Sequence, residues 1–288
     1  MPREIAQLVL NGLMAGTILA VPAIGFTAIY AVLRFPNFAI ASHLTIGAFA
    51  GWVVNVALGL PAAAAVGVAF VVTGVAGVLN DEIVLKPLRP AGALTTAIAA
   101  VALALVLENV VRFAFGNDLR GYALPIRRDW QLGGLRVAPQ QLQNFVVAVI
   151  AMAAVFLFLS FTRTGKAMRA VADNPALAAV KGIDADRVAR LTNFAAMGLA
   201  GVGGVLVGLD TSIDPLTGFR VILSVFAAAV VGGLGSIPGA VVGALTIGVG
   251  EELSLLVLAP AYRTVVGFVA ILLVLTLRPR GILGERAY

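Results

Sequence analysis

Residues 162–190 read TRTGKAMRAVADNPALAAVKGIDADRVAR and form a polar island in a chain that is otherwise strongly apolar. The island holds six of the 20 Lys and Arg residues. Hydrophobic residues make up 60% of the chain and charged residues 12%, and the mean hydropathy is +1.02. This composition is typical of a chain whose main solvent is lipid. The sequence therefore predicts an integral membrane protein with one sizeable polar segment.

The apolar remainder divides into runs of about 18 to 25 residues, each long enough to cross roughly 30 Å of hydrocarbon. We predict an all-α integral membrane protein, a polytopic helical bundle of about eight or nine transmembrane spans that forms one domain over residues 1–288. The predicted spans are residues 5–32, 38–58, 61–79, 93–115, 145–161, 191–209, 221–258 (divided at 232–239) and 262–277.

The distribution of Lys and Arg predicts the orientation, because basic residues concentrate on the cytoplasmic side of membrane proteins. If the island is cytosolic, twelve of the 20 basic residues fall inside and eight outside, and all three lysines fall inside. This places the N-terminus outside and the C-terminus inside the cell. The net charge of +6 is then explained by cytoplasmic loops, and nucleic acid is not an expected partner. The extracytoplasmic loop, residues 116–143, opposes the bias with four arginines: Arg120, Arg127, Arg128 and Arg136.

The island itself is predicted to form two short helices that cannot span a membrane. Thr164 is placed to cap the first helix. Asn174 is placed to cap the second, with Pro175 in its first turn and Gly182 where a left-handed residue ends it. Such a segment needs a partner, which is either another protein or the membrane headgroups. The apolar side is predicted to comprise Val171, Leu177, Val180 and Ile183.

A few ionisable residues fall inside or beside the predicted spans. Glu108 precedes Arg112 by four residues, the favourable order for an ion pair on one helix face, and we favour that interpretation over a transport role. His43 follows Ser42, and for this histidine a packed, hydrogen-bonded role is favoured over transport. Four acids near the predicted outer mouth either attract a cationic or zwitterionic ligand or are solvated helix ends: Asp210, Asp214, Glu251 and Glu252.

The segment 232–239 reads GGLGSIPG, and its Pro238 removes a backbone donor inside an apolar region. We predict a break between two helices here. Irregular backbone at membrane depth is tolerated where protein or a water-filled cavity surrounds it. The segment is therefore predicted to lie near a translocation path.

Motifs of soluble enzymes are absent from the sequence. No GxxxxGK[ST] occurs, and the chain has no cysteine and only one histidine. We predict no catalytic residues, no metal site and no cofactor. If ATP powers a transport process, another subunit must bind it.

Several blocks in a fixed order resemble the permease subunits of branched-chain amino acid ABC importers, the LivH/LivM type. The longest is the island continued to residue 208 as LTNFAAMGLAGVGGVLVG. DPLTGF (214–219), AAAVVGGLGSIPGAVVGAL (227–245) and LRPRGILG (277–284) follow it, and NGLMAGTILAVPAIGFTAIYAV (11–32) and KPLRP (86–90) precede it. The resemblance covers most of the chain and weakens in residues 116–143.

The resemblance implies a multi-pass permease of the bacterial inner membrane that moves a small amino acid, branched-chain in the first instance, or a related amide. The implied partners are a second, related permease, two cytosolic ATPase subunits and an extracytoplasmic binding protein that delivers the solute. The island would couple the ATPases to the bundle through Gly165, Arg169, Ala170, Asp173, Asn174, Pro175 and Gly182. The translocation path or gate would include Asn37, Ser42, His43, Gly232, Gly233, Gly235, Ser236 and Gly239.

One departure concerns the start of the second span, where the family carries a run resembling NFAHGE. Here Ile40, Ala41 and Ser42 replace its histidine, glycine and acid, and His43 follows. The solute is therefore left open among branched-chain amino acids, urea, short amides and other small polar or aromatic compounds. From the residues alone, an ion-coupled secondary transporter is the second hypothesis, with Glu108 as its one candidate coupling acid, and a membrane-embedded enzyme is the third.

Overall fold

A computed structural model describes residues 2–124, 128–132 and 134–284. Two of the arginines used to predict the orientation, Arg127 and Arg286, lie outside the described residues. The described chain forms eleven α-helices and one hairpin of two strands. Their bounds are α1 Pro2–Leu33, α2 Ile40–Trp52, α3 Ala62–Asn80, α4 Ala93–Phe115, β1 Trp130–Leu132, β2 Leu135–Val137, α5 Pro139–Phe161, α6 Arg163–Asp173, α7 Pro175–Val180, α8 Ala185–Asp210, α9 Thr217–Gly232, α10 Ile237–Ser254 and α11 Val265–Leu277.

Each of the nine predicted spans coincides with a helix of the described chain, so the helical bundle is confirmed. Six helices are long and apolar enough to cross a membrane by length and composition: α1, α2 with the π-helical turn Val53–Ala57, α3 with its extension to Ala91, α4, α5 and α8. The helices α9 and α11 are apolar but shorter. The bundle is therefore polytopic, with α9 and α11 shorter than the six candidate spans.

Several boundaries differ from the prediction. α5 begins at Pro139, so the loop predicted over 116–143 is shorter, and it contains the β1–β2 hairpin that an all-α prediction omits. α8 begins at Ala185, so the last residues of the island are already its first turns. Asp184 explains that start, because its carboxylate accepts hydrogen bonds from the N–H groups of Asp186 and Arg187 at 3.0 and 3.1 Å.

The two ends of the bundle can be told apart by following the helices. α5 begins after the 116–138 segment and ends at α6, so that segment and the island lie at opposite ends. α1 packs antiparallel to α10, with Gly16 against Ala244, and the next residue after α1, Arg34, donates to the carbonyl oxygen of Ala172 in α6. The start of α10 therefore lies at the same end as the island, as the predicted orientation requires.

The core is built around α8, which packs against α1, α2 and α3. Its glycines allow close approach: a Cβ on Gly47 of α2 would lie 2.5 Å from the carbonyl oxygen of Gly201, and one on Gly204 would collide with the backbone of Leu44. Small residues at helix contacts are the usual basis of packing in lipid, where van der Waals contact rather than hydrophobic burial holds helices together. The helices α3, α4, α5 and α11 carry many exposed apolar side chains.

At the end of the bundle opposite the island, Tyr122 anchors the segment after α4 to the bundle. Its hydroxyl donates to the carbonyl oxygen of Ala48 in α2 at 2.6 Å, and its ring fills the space beside Gly208 of α8. Burial raises the pKa of Tyr122, so the phenol stays a neutral donor. An antiparallel bridge between Arg120 and Ile213 ties this segment to the α8–α9 connection.

Candidate functional site

An open cavity lies between α2, α4 and the start of α9. Its empty space is about 500 Å³, including the space at its mouth. Three polar residues line it, Ser42 and Thr45 from α2 and Glu108 from α4. The rest of the wall is apolar, with Phe38, Leu105, Phe219 and Ile222 among its residues. A mostly apolar hollow with a few polar groups is the usual form of a small-molecule site.

The α2 wall follows from the way this helix begins. The chain after α1 enters the bundle, and the side-chain oxygen of Asn37 accepts a hydrogen bond from the Ala39 N–H at 3.1 Å, which turns the chain into the helix. Ser42 then donates to the Ala39 carbonyl oxygen at 2.8 Å, and Thr45 accepts from the Gly218 N–H at 2.9 Å. Both hydroxyls are therefore already engaged with backbone, and Thr45 joins α2 to α9.

Glu108 is the one acidic residue among those that line the cavity. Arg112, one turn later, donates to its Oε1 at 2.7 Å, which confirms the predicted ion pair. Oε2 makes no hydrogen bond within the described residues. Only 9% of Glu108 is exposed, so this oxygen is held at the cavity rather than in bulk solvent. The sequence predicted the pair but gave no sign that its acid faces a cavity.

His43 and Asn37, both predicted for the path, are buried behind the cavity wall rather than lining it. His43 Nδ1 donates to the Ala39 carbonyl oxygen at 2.7 Å, and Asn80 of α3 lies 3.2 Å from Nε2. This is the packed, hydrogen-bonded arrangement that the sequence analysis favoured. Of the predicted α2 residues, Ser42 alone reaches the cavity.

The glycine-rich segment 232–239 separates helix α9 from helix α10, as predicted. Gly233 and Gly235 take φ values of +110° and +95°, and Ser236 caps α10 by accepting from the Gly239 N–H at 3.2 Å. Gly232 and Gly239 pack backbone to backbone across the break. None of the five predicted residues lines the cavity described above.

The segment after α11 closes over this break. Ile282 and Leu283 donate their backbone N–H groups to the carbonyl oxygens of Val231 and Gly232 at 2.8 and 2.9 Å. Gly233 lies directly against Gly281 and Gly284. The break therefore lies at the end of the bundle that carries the island, and its role in a path or gate stays a prediction.

The island folds as the two predicted short helices, with one correction at its start. Thr162, rather than Thr164, caps α6 by accepting from the Gly165 N–H at 2.9 Å, because the helix begins at Arg163. Asn174 caps α7 with Pro175 in its first turn, and Gly182 follows at a φ of +79°. The predicted caps of the second helix are confirmed.

The apolar side of the island differs from the prediction, because α6 and α7 meet at a turn and do not form one continuous helix. Met168, Val171 and Ala178 are buried with Val188 against the bundle. Leu177 and Val180 point away from it and are 56% and 82% exposed. A second, unburied apolar patch therefore exists on α7.

The predicted coupling residues divide by environment. Gly165 is buried tightly against the backbone of Phe158 and Leu159, and Ala170 is half-buried. These two hold the island on the bundle. The remaining five are exposed: Arg169, Asp173, Asn174, Pro175 and Gly182.

A buried charge cluster at the end of the bundle opposite the island replaces the solvated helix ends considered for Glu251 and Glu252. Both are buried on α10, and Arg263 binds them, at 3.5 Å from Glu251 and 2.7 Å from Glu252. Ser224 of α9 donates to Glu251 at 2.5 Å. Sequence reasoning missed this cluster because Arg263 lies in a different connection, and the cluster links α9, α10 and the start of α11.

Two further acids were predicted to lie near the outer mouth, Asp210 and Asp214. Asp214 pairs with Arg220 and accepts a hydrogen bond from the Thr217 hydroxyl at 3.1 Å, so it stabilises the start of α9. Asp210 is the last residue of α8. Neither residue lines the cavity.

Comparisons with known proteins agree with one another. The family described as "Branched-chain amino acid transport system / permease component" matches residues 8–275. The chain is 34% identical over 296 residues to the high-affinity branched-chain amino acid transport system permease protein LivH of Escherichia coli (strain K12), covering 97% of this chain and 95% of the relative. It is 32% identical over 295 residues to the corresponding permease protein BraD of Pseudomonas aeruginosa, with the same coverage of 97% and 95%.

A solved structure shows a similar fold. A chain in the structure of PsaBC from Streptococcus pneumoniae in complex with Fab superposes with a TM-score of 0.50, covering 95% of this chain and 92% of that chain. At 14% sequence identity, this likeness concerns the fold alone.

Proposed function

The chain belongs to the branched-chain amino acid permease family of ABC transporters, and from this premise we propose that it carries a small amino acid, branched-chain in the first instance, into the cell across the bacterial inner membrane. It is a multi-pass membrane protein and a permease subunit rather than an enzyme. Its relatives are branched-chain amino acid permeases by name, and a cavity with mostly apolar walls supports an aliphatic solute.

The observation that carries the coupling part of the proposal is the island. The two-helix unit α6–α7 is held on the bundle by its buried side, and it presents Leu177, Val180 and Arg169 outward. An amphipathic helix of this kind binds in a groove of a partner protein through a few anchor residues. We take that partner to be an ATPase subunit, because the chain has no nucleotide-binding motif of its own.

The proposed assembly has a second, related permease, two cytosolic ATPase subunits and an extracytoplasmic binding protein. Binding and hydrolysis of ATP would bias a two-state bundle between inward and outward access. The delivery protein would select most of the solute's features, so few strong solute contacts are needed in the permease.

The test is purification of this chain from its native cells in mild detergent, with identification of every co-purifying protein. We expect two ATPase subunits and a second permease, followed by ATP-dependent uptake of leucine in proteoliposomes that contain the assembly and its binding protein. Recovery of the chain alone, beside a control transporter that stays intact in the same detergent, would contradict the assembly.

One observation bears on the ion-coupled alternative, since Glu108 lines the cavity and is the candidate for a coupling acid. Uptake that requires ATP and is indifferent to imposed proton and sodium gradients would remove this alternative. Uptake that follows such a gradient without ATP would support it.

A further inference from the structure

One carboxylate lines the cavity, that of Glu108, and only one of its two oxygens has a hydrogen-bond donor within the described residues. Arg112 occupies Oε1 of Glu108, and Oε2 makes no hydrogen bond within the described residues. The hydroxyls of Ser42 and Thr45 are engaged with backbone. We propose that Glu108 Oε2 binds the ammonium group of the transported amino acid, while Phe38, Leu105 and Ile222 contact its aliphatic side chain. This inference rests on the proposed function, because that function makes the ligand of the cavity a transported amino acid.

The physical argument concerns charge in a low-dielectric setting. A carboxylate at membrane depth is costly unless it is paired, and such residues usually line a cavity or a path. The single contact with Arg112 leaves one face of Glu108 without a donor, and a carboxylate accepts from two directions. An ammonium group supplies both the missing donor and an opposite charge, and charge-assisted hydrogen bonds are the stronger kind.

The geometry also limits the affinity. Arg112 shares the carboxylate, so the ammonium group meets a charge that is already partly compensated. A transport path needs such moderate binding, because a tightly held solute would not leave. The chemical class that fits is a small primary ammonium compound with an aliphatic body, because the rest of the cavity wall is apolar.

The opposing account is that Glu108 serves only as the partner of Arg112. On that account, loss of either residue has the same effect, and no ligand competes at the cavity. The two accounts therefore differ in what removal of Arg112 does and in whether an amine binds.

The absence of cysteine from the sequence provides a clean probe. Leu105 lies one turn before Glu108, lines the cavity and is 48% exposed. We would introduce Leu105→Cys into the assembled complex and measure its rate of modification by a water-soluble thiosulfonate. Val106→Cys is the matched control, because the neighbouring Val106 is 59% exposed but lies outside this cavity, so leucine should not slow its modification.

The compounds tested for protection are leucine, 3-methylbutylamine, which lacks the carboxylate of leucine, and 4-methylpentanoate, which lacks its ammonium group. We expect leucine and the amine to slow modification of Leu105→Cys, and the carboxylate analogue to have no effect. Adding Glu108→Gln should reduce the apparent affinity for the amine by about tenfold or more, the usual scale for a charged hydrogen bond. Arg112→Gln should retain or strengthen protection, because it removes the competing cation. Asp118→Asn, an exposed outer acid, should change neither.

Each alternative result overturns the inference. Failure of Leu105→Cys to react would show a dry cavity. Equal protection by the carboxylate analogue, unchanged protection in Glu108→Gln, or equal losses in Glu108→Gln and Arg112→Gln would assign Glu108 to the ion pair alone. Size-exclusion profiles and thermal melting of each variant separate these results from misfolding.

Failure of the inference and failure of the proposed function give different patterns. If the amine protects but no ATPase co-purifies and uptake needs no ATP, the ammonium site stands and the importer assignment fails. If ATP-dependent leucine uptake is normal in Glu108→Gln, the importer assignment stands and the ammonium site fails.

Discussion

At the scale of single residues, the glycines of α8 decide how closely the core helices approach. Gly204 touches the backbone of Leu44, and Gly67 of α3 faces open space with no atom within 4 Å of a built Cβ. Both residues lie inside helices, where alanine is intrinsically better than glycine by roughly 0.5–1 kcal/mol. The two positions therefore separate helix propensity from packing.

We predict opposite effects of one substitution at these positions. Gly204→Ala should destabilise the protein by about 1–3 kcal/mol, because its methyl group forces α2 and α8 apart. Gly67→Ala should be neutral or slightly stabilising. Thermal unfolding in one detergent, followed by a fluorescent reporter of exposed core, measures both. Similar melting temperatures for the two variants would contradict the packing argument.

Individual residues also show where sequence reasoning succeeds and where it stops. The caps at Asn174 and Gly182 were predictable because local backbone chemistry determines them. Thr162 and Thr164 are both threonines at the start of one helix, and sequence does not fix which of them begins it. The position of Glu108 at a cavity depends on which face of α4 meets α2 and α9, and that is a property of the whole bundle.

At the scale of elements, the break between α9 and α10 depends on two glycines with different surroundings. Gly233 and Gly235 both have positive φ, so alanine is strained at each. A Cβ on Gly233 would also lie 2.5 Å from the Gly284 nitrogen, whereas one on Gly235 would meet nothing within 4 Å. Of these two glycines, only Gly233 therefore leaves the space that the segment after α11 occupies.

We expect Gly233→Ala to release that segment and Gly235→Ala to leave it bound. The bond after Arg280 should then be cut by trypsin several-fold faster in Gly233→Ala than in the parent, because local release exposes it. Mass spectrometry of a digestion time course measures the rate. Equal cleavage in the two alanine variants would mean that backbone strain, rather than contact with residues 281–284, governs the segment.

The α7 helix is the element through which the partner hypothesis is tested most directly. The Leu177 side chain is 56% exposed and is not part of the buried cluster that holds the island on the bundle, so Leu177→Asp should leave the permease folded. We expect it to weaken association with the ATPase subunits by at least about tenfold, because an anchor of a helix-in-groove contact loses its apolar surface. Arg169→Ala and Asp173→Ala should weaken association less, since exposed charges contribute little alone.

Leu119→Asp is the matched control for this experiment. Leu119 is 68% exposed, but it lies in the segment after α4, at the opposite end of the bundle from α7. Co-purification of the ATPase subunits should be unchanged in this variant. Equal association of the Leu177→Asp, Leu119→Asp and parent chains would refute α7 as the docking element and favour the membrane headgroups as its partner.

The elements as a class were the most predictable part of the structure. Long apolar runs determine helices in lipid, because every backbone group must be paired within its own segment. The β1–β2 hairpin was not predictable in the same way, since its strands have only three residues each and are joined to α1 by two hydrogen bonds between Gln7 and Arg136. The buried contact between Ser224 and Glu251 was also hidden, because it joins two helices across a break.

At the scale of the whole molecule, one chain of contacts connects the island to the cavity. Arg34, at a φ of +58°, donates to the carbonyl oxygen of Ala172 near the end of α6. The five residues that follow it lead into α2, and Phe38 among them lines the cavity. Phe38 also packs against Phe226 of α9, with ring centroids 5.5 Å apart. A displacement of α6 by a partner can therefore reach two walls of the cavity through a short segment.

We predict that Arg34→Ala uncouples ATP hydrolysis from transport. The substitution removes the contact with α6 at an exposed position, so assembly should persist while solute moved per ATP falls several-fold. Arg163→Ala is the matched control, because Arg163 is an exposed basic residue of α6 for which the described residues show no ion pair. Parallel assays of ATPase rate and leucine uptake in proteoliposomes give the ratio. If both activities fall by the same factor, Arg34 supports assembly. If neither activity changes, motion reaches the cavity by another route, such as α8, which continues from the island into the core.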